Sequence, residues 1–343
     1  MTDNTWPTVD TELIDDVTLY SAKLIIPVTG PVIIDGAVAI HGDRVVHVGK
    51  RRWVLKALKQ EMTAHGTIHE RHWDGVLTPG LINAHTHLQY SGMVQVGQGT
   101  YDRFRAWELA FNEVYAEAQK TQPWKQWAED GARQMVESGT TAAADIVTDL
   151  DAAGALASQG MHGIAYWEVM GWHNAEWMEK GRTELIRQLR RMNEEQLPNL
   201  GISPHAPYTL ESEPFVDLPD IARQLNMRLH IHLAETPLEA GTYPPVLTTY
   251  SAADWSDHDW ESYRQLKEVG KGASAIQFVD QLGSLGPDVH IAHGVWANGE
   301  DRRILRQRGV GVALCPRSNR ITNTGKDAPA VSYTHLTLPT NRE

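Results

Sequence analysis

The sequence predicts an α/β fold: a small β-sandwich-like domain over residues 1–75, then a parallel sheet whose strands alternate with helices, closed into a barrel or doubly wound. Three observations predict it. Residues 18–50 hold three short apolar, β-branched runs with a tight-turn signal between the last two. From Val76 onward, strand-length apolar segments alternate with stretches of helical spacing. At 343 residues the chain can bury one large core and still carry an accessory domain.

In order, Thr18–Val28, Val32–Ile40 and Arg44–Val48 read as strands of the β domain, with Gly42-Asp43 turning the chain between the last two. Candidate strands of the second domain, residues 76–330, are 81–87, 140–146, 162–169, 199–204, 228–233, 288–293 and 309–315. Helical spacing occupies 123–138, 183–195, 217–226 and 272–283; in the second of these, Leu185, Ile186, Leu189 and Met192 fall on one face. Between Gly241 and Gly270 a βα connection is interrupted by Tyr243, Tyr250, Trp255, Trp260 and several aspartates. That length suits either a lid or a solvated insertion.

Composition narrows the class of partner. A formal charge of −12 repels nucleic acid and anionic membrane, so a small-molecule substrate is expected, with no nucleic acid and no membrane. Cys315 is the single cysteine, which excludes an internal disulfide, and Met1–Asp16 is polar and acidic without an apolar signal core. The expected location is therefore cytoplasmic. No apolar run approaches the roughly 18 residues a membrane span requires. Homo-oligomerisation is a base-rate expectation.

The chemistry begins at Pro79-Gly80-Leu81-Ile82-Asn83-Ala84-His85-Thr86-His87. Side chains alternate along a strand, so His85 and His87 share a face at its end and can chelate one divalent cation, zinc or ferrous iron. The bland reading is two histidines that happen to alternate; the preceding Pro-Gly and apolar run favour the ligand reading. In Arg228–Leu233 the same alternation turns His230 and His232 inward and Leu229, Ile231 and Leu233 outward.

Leu77–Met93 resembles the first barrel strand of the amidohydrolase superfamily, in its cytosine deaminase and chlorohydrolase-like branch. Further stretches match in the family's order: Gly139-Thr140-Thr141, Ser203-Pro204-His205-Ala206-Pro207-Tyr208, His230-Ile231-His232-Leu233-Ala234-Glu235-Thr236, Ala292-His293-Gly294 and Cys315-Pro316-Arg317-Ser318-Asn319. The resemblance covers residues 18 to 330 and implies a (β/α)8 TIM barrel, in which each of these motifs ends a strand, where barrel enzymes place their chemistry. It implies His232 as the third metal ligand beside His85 and His87, Glu235 as proton shuttle, His293 as the histidine that orients the attacking hydroxide, and His205 as a substrate contact. Gln89 is weighed between reading a substrate edge and capping the next element. His230, a layer deeper, is expected to be a satisfied core histidine, and His290 to point to the opposite face. Trp107 and Glu108 are weighed between the site mouth and ordinary packing or solvation, and Arg317, Ser318 and Asn319 between structure and ligand contact. No lysine lies in 162–169 or 199–204 to bridge two metals, so one divalent metal is expected, zinc first and iron with the same ligands.

The implied activity is hydrolysis of a carbon–nitrogen bond other than a peptide bond, by deamination of an amino-substituted heterocycle or nucleoside-like compound. The run His85–Tyr90 looks closer to aminodeoxyfutalosine deaminase-like members than to guanine deaminases. Cyclic amide hydrolysis, hydrolytic dechlorination and a degenerate binding or assembly subunit are the alternatives, and ammonia release separates deamination from them.

The pattern breaks late in the chain. Family members end the eighth strand in an aspartate; here Asp327 lies in the preceding connection and no acidic residue follows until Glu343. Residues 331–343 have no family counterpart and read as a foreign tail. The expectation is a barrel missing its last strand, a β domain unfilled from its C-terminal side, and a chain of poor stability and little activity in that form.

Overall fold

The computed structural model describes residues 13–194, 197, 199–241, 266 and 269–324. Tyr243, Tyr250, Trp255, Trp260, Asp327 and the 331–343 tail lie outside the described residues. Two compact units divide between Gly80 and Leu81.

The first unit is a four-stranded sheet of β1 (Ile14–Ile25), β2 (Ile33–His41), β3 (Arg44–Lys50) and β4 (Met62–Leu77), with α1 (Arg51–Glu61) between the last two. Spatial order is β3-β2-β1-β4; β1 pairs antiparallel with β2 and parallel with β4. Gly42, at φ 57°, supplies the left-handed residue that turns β2 into β3. Val17, Leu19, Ala37 and Ala39 form the core with Val54 and Leu58, one turn apart on α1. At the start of α1, Arg51 clamps Glu70 of β4 through Nε (2.6 Å) and a terminal amino nitrogen (2.5 Å). The Ser21 hydroxyl of β1 donates to the same carboxylate at 2.6 Å. Among the described residues this is one sheet with one helix, where a sandwich would have two sheets.

The second unit is a barrel-type parallel sheet of β5 (Leu81–Thr86), β6 (Thr140–Val147), β7 (His162–Val169), β8 (Leu200–Pro204), β9 (Arg228–Leu233), β10 (Val289–His293) and β11 (Gly311–Ala313). Each strand pairs with its sequence neighbour, as βα units stepping around a barrel require. The described residues contribute seven strands, and all seven fall where the apolar segments place them. Helices of 14 and 13 residues cover the sheet at Trp124–Glu137 and Arg182–Glu194. The first turns Trp124, Ala128, Gly131 and Ala132 inward, an i, i+4, i+7, i+8 stripe. The helix expected over 217–226 begins earlier, at Ser212, and carries Pro219 in its interior. Pro214, which sits in the first turn where a missing N–H costs little, masks that start in the sequence. The main core joins Ile202, Leu229, Ile231, Leu233, Val289 and Ile291 of the strands to Phe215, Leu218, Phe278 and Val279 of the helices.

Candidate metal centre and active site

At the C-terminal ends of these strands, one cavity of about 360 Å³ is lined by His85, His87, His205, His232, Glu235 and His293. Phe104, Trp107, Phe111, Met170 and Tyr208 form its apolar wall. Its volume lies within the range of sites that enclose a small organic ligand. Phe104 and Trp107 meet at a ring separation of 5.3 Å, and Trp107 and Phe111 at 5.5 Å.

The alternation read from the sequence is what builds the cluster. His85 lies one residue from the end of β5, His87 directly follows that strand, and His232 lies one residue from the end of β9. One nitrogen from each lies within 4.8 Å of the others, and Nε2 of His87 stands 3.3 Å from Nε2 of His232. Tetrahedral zinc with bonds of about 2.0–2.1 Å needs ligand nitrogens about 3.4 Å apart. Burial, reinforced by neighbouring histidines, pushes the His85 and His232 imidazoles well below their ordinary pKa and His87 down to about 4. All three are therefore neutral and present the lone pairs a cation needs. Donor type, spacing and protonation state fit a single divalent cation. Two other donor groups, His85/His293/Cys315 and Glu168/His205/His232, each borrow a histidine from this one and make no separate centre.

The rear nitrogens of His85 and His232 are held by specific partners, while Nδ1 of His87 is buried without one. Nδ1 of His232 points to the His205 carbonyl at 3.2 Å, and Nδ1 of His85 to Nε2 of His230 at 3.1 Å. Such contacts fix which ring nitrogen faces forward. His230 was expected to be a satisfied core histidine, but only one of its nitrogens has a partner. His205 lines the cavity with Nδ1 engaged by Thr209 Oγ1 at 2.7 Å. Thr209 itself donates to the Ala206 carbonyl, so its oxygen accepts from His205 and leaves Nε2 of that ring as an acceptor.

Glu235 follows β9 in a short loop whose backbone is pinned by a residue the sequence reading missed. Glu239, fully buried, accepts from the N–H groups of Ala234, Glu235 and Thr236, each at 2.9 Å. Burial still pushes the Glu239 carboxyl up to about 7 against these donors. Thr236-Pro237-Leu238-Glu239 forms a capping box with Pro at the first turn, and this T-x-x-E pattern was the available signal. The Glu235 carboxyl, also raised by burial, lies 3.5 Å from the His293 ring and 3.5 Å from the Tyr208 hydroxyl. Burial opposes charge on His293, but Glu235, Cys315 and Asn319 outweigh it and push its pKa up to about 10. Asn319 holds Nδ1 of His293 at 2.9 Å through Oδ1. Ala234 (φ 53°) and His293 (φ 75°) adopt left-handed backbone conformations where β9 and β10 end.

Gln89 bonds locally. Its amide donates to Thr148 Oγ1 at 2.6 Å and accepts from Thr148 N at 2.8 Å, so it ties two loops together and does not line the cavity. Its polarity is satisfied locally, which leaves nothing for a substrate edge. Trp107 and Glu108 do line the cavity, with Glu108 paired to Arg105 at 2.8 Å. Glu168, which the sequence reading passed over inside an apolar strand, also lines it. Its Oε1 has no hydrogen-bond partner, and burial pushes its pKa up to about 8.

Comparison with known proteins agrees with the fold. Residues 76–243 match the amidohydrolase family. A 5-methylthioadenosine/S-adenosylhomocysteine deaminase of Thermococcus kodakarensis is 30% identical over 250 residues, 71% of this chain and 52% of that protein. The chain thus spans about half the length of this relative. Among solved structures, the Helicobacter pylori aminofutalosine deaminase in complex with methylthio-coformycin has a TM-score of 0.72 at 17% identity, over 94% of this chain and 75% of that one. An adenosine deaminase from Xanthomonas campestris with bound zinc has a TM-score of 0.68 at 21% identity, over 95% and 68%. With ordered motifs, a parallel barrel sheet and a matched domain all in agreement, the chain carries an amidohydrolase family domain over residues 76–243.

Proposed function

We propose that this protein is a metal-dependent aminohydrolase that removes an exocyclic amine from a purine nucleoside or a closely related heterocycle. The observation that carries the proposal is the convergence of His85, His87 and His232 beside buried Glu235 in an aromatic-walled cavity. The deaminases among its relatives support the substrate class. We assign His85, His87 and His232 to hold one divalent cation, zinc first, with iron compatible with the same ligands. A divalent cation held there supplies Lewis acidity and lowers the pKa of a coordinated water to about 7.

The protein's own groups supply the rest. Glu235 accepts a proton from the attacking water and delivers it to the ring nitrogen beside the carbon under attack. His293, kept protonated by Glu235 and oriented by Asn319, donates toward the incoming oxygen. Nε2 of His205 accepts a hydrogen bond from a substrate N–H or O–H, and Phe104, Trp107 and Phe111 cover the ring and exclude bulk water. The water oxygen adds to the ring carbon. A second proton then passes from the new hydroxyl through Glu235 to the amine, the carbon–nitrogen bond breaks, and ammonia leaves behind a ring carbonyl.

The test is ammonia release from adenosine, 5′-methylthioadenosine and S-adenosylhomocysteine with zinc supplied, together with binding of a coformycin-type analogue. Release or analogue binding that disappears on chelation supports the reading. The absence of both would sink it.

A further inference from the structure

We propose that His230 is a positioning residue that holds His85 in the one tautomer able to bind a cation; the inference rests on the assignment of His85 as a ligand. Its Nε2 lies 3.1 Å from Nδ1 of His85, with the two rings 21° from parallel at 5.0 Å between centroids. His230 is fully buried in β9, directly across the barrel interior from β5, with the Tyr166 ring edge 5.2 Å away. Its Nδ1 has no partner.

Proton placement decides the matter. Two ring nitrogens 3.1 Å apart share one hydrogen. If His230 donated it, Nδ1 of His85 would be the acceptor, and the neutral His85 ring would carry its own proton on Nε2. That proton blocks the lone pair that faces His87 and His232. If His85 donates, its proton sits on Nδ1, its forward nitrogen is free, and His230 carries its hydrogen on the partnerless Nδ1. Cation binding therefore requires His230 to be an acceptor at Nε2. The unpartnered Nδ1–H is the desolvation cost of keeping it there.

A histidine present only to fill the barrel would be replaceable by an apolar side chain of similar size. An acceptor would be replaceable only by another acceptor. The experiment uses the full chain and measures zinc affinity by competition with a chromophoric chelator, for wild type, His230→Leu and His230→Gln. Loss of an outer hydrogen-bond partner typically weakens a metal site 10–100-fold. The expected result is an apparent zinc Kd raised by that factor in His230→Leu and within a few-fold of wild type in His230→Gln, with metal-free melting temperatures alike. Imidazole ¹⁵N spectra of the zinc-loaded wild type should place the His230 proton on Nδ1, a readout that stands even if His230→Leu fails to fold. Equal zinc affinity in wild type and His230→Leu, equal weakening in both variants, or a His230 proton on Nε2 would overturn the inference. A wild type that binds no zinc would overturn the ligand assignment and the inference together.

Discussion

Oε1 of Glu235 lies 3.5 Å from Nε2 of His293, and both groups are buried at the ends of adjacent parallel strands. The pair can pass a proton between a carboxylate and an imidazole without moving either backbone. Replacing Glu235 with Gln keeps the shape and removes the carrier. Turnover in Glu235→Gln is expected to fall about 10²–10⁴-fold, the usual worth of a positioned acid–base group. Zinc content, measured by elemental analysis, is expected to be unchanged, because Glu235 is not among the three converging ligands. Loss of zinc along with turnover would place it in the ligand set instead.

Glu239 is predicted to matter for stability as much as for activity. Its carboxyl satisfies three consecutive backbone N–H groups inside the protein. Glu239→Ala leaves them unpaired and is expected to cost about 3 kcal/mol or more in urea unfolding. Turnover should drop with it, because the same loop carries Glu235. A loss below about 1 kcal/mol would show that water replaces the carboxylate.

Glu168 sets stability against recognition. Its Oε1 is buried in the cavity without a hydrogen bond, 3.8 Å from Nδ1 of His232, so Glu168→Leu removes a group that costs about 1–3 kcal/mol to bury. The metal-free protein is expected to melt at a higher temperature while its affinity for a coformycin-type analogue falls. An unchanged melting temperature would mean that the carboxyl is already satisfied.

The β domain should carry an acid-labile contribution. Arg51, assisted by the Ser21 hydroxyl, holds the Glu70 carboxyl at about 2, below the ordinary 4.5. A carboxyl whose folded pKa is depressed contributes fully above its unfolded value and loses that contribution as pH falls through the folded one. The stability difference between wild type and Glu70→Gln is therefore expected to be constant above about pH 4.5 and to vanish toward pH 2. Chemical denaturation across that range measures it; a difference that persists at pH 2 would implicate packing.

Much of the barrel was legible because its signal is local. Apolar period-2 runs placed β5 to β10 within a residue or two of their ends, and the same alternation put His85, His87, His230 and His232 inside. What stayed hidden depends on distant partners. Met62–Leu77 forms a 16-residue strand although it holds three His, two Gly and several charged residues, with Glu70 fixed by Arg51 and Ser21 from two other elements. Glu168 looked like any polar residue in a strand, and nothing in its neighbours tells that its oxygen faces a cavity. The partner of Gln89 was hidden for the same reason: Thr148, 59 positions away, takes both ends of its amide.

The left-handed backbone at Ala234 and His293 has an evolutionary side. A left-handed conformation is one that glycine adopts freely and that costs other residues roughly 1 kcal/mol or more. Selection for thermal robustness would drift toward glycine only where the side chain packs and bonds little. At 234 that drift is nearly free, since alanine contributes no functional group. At 293 it would delete the imidazole opposite Glu235. A library screened for melting temperature should therefore accumulate Gly at 234 and keep the imidazole at 293, where glycine would leave a cavity and unpair Asn319, so the strain at 234 is open to relief and the strain at 293 is locked in by its contacts.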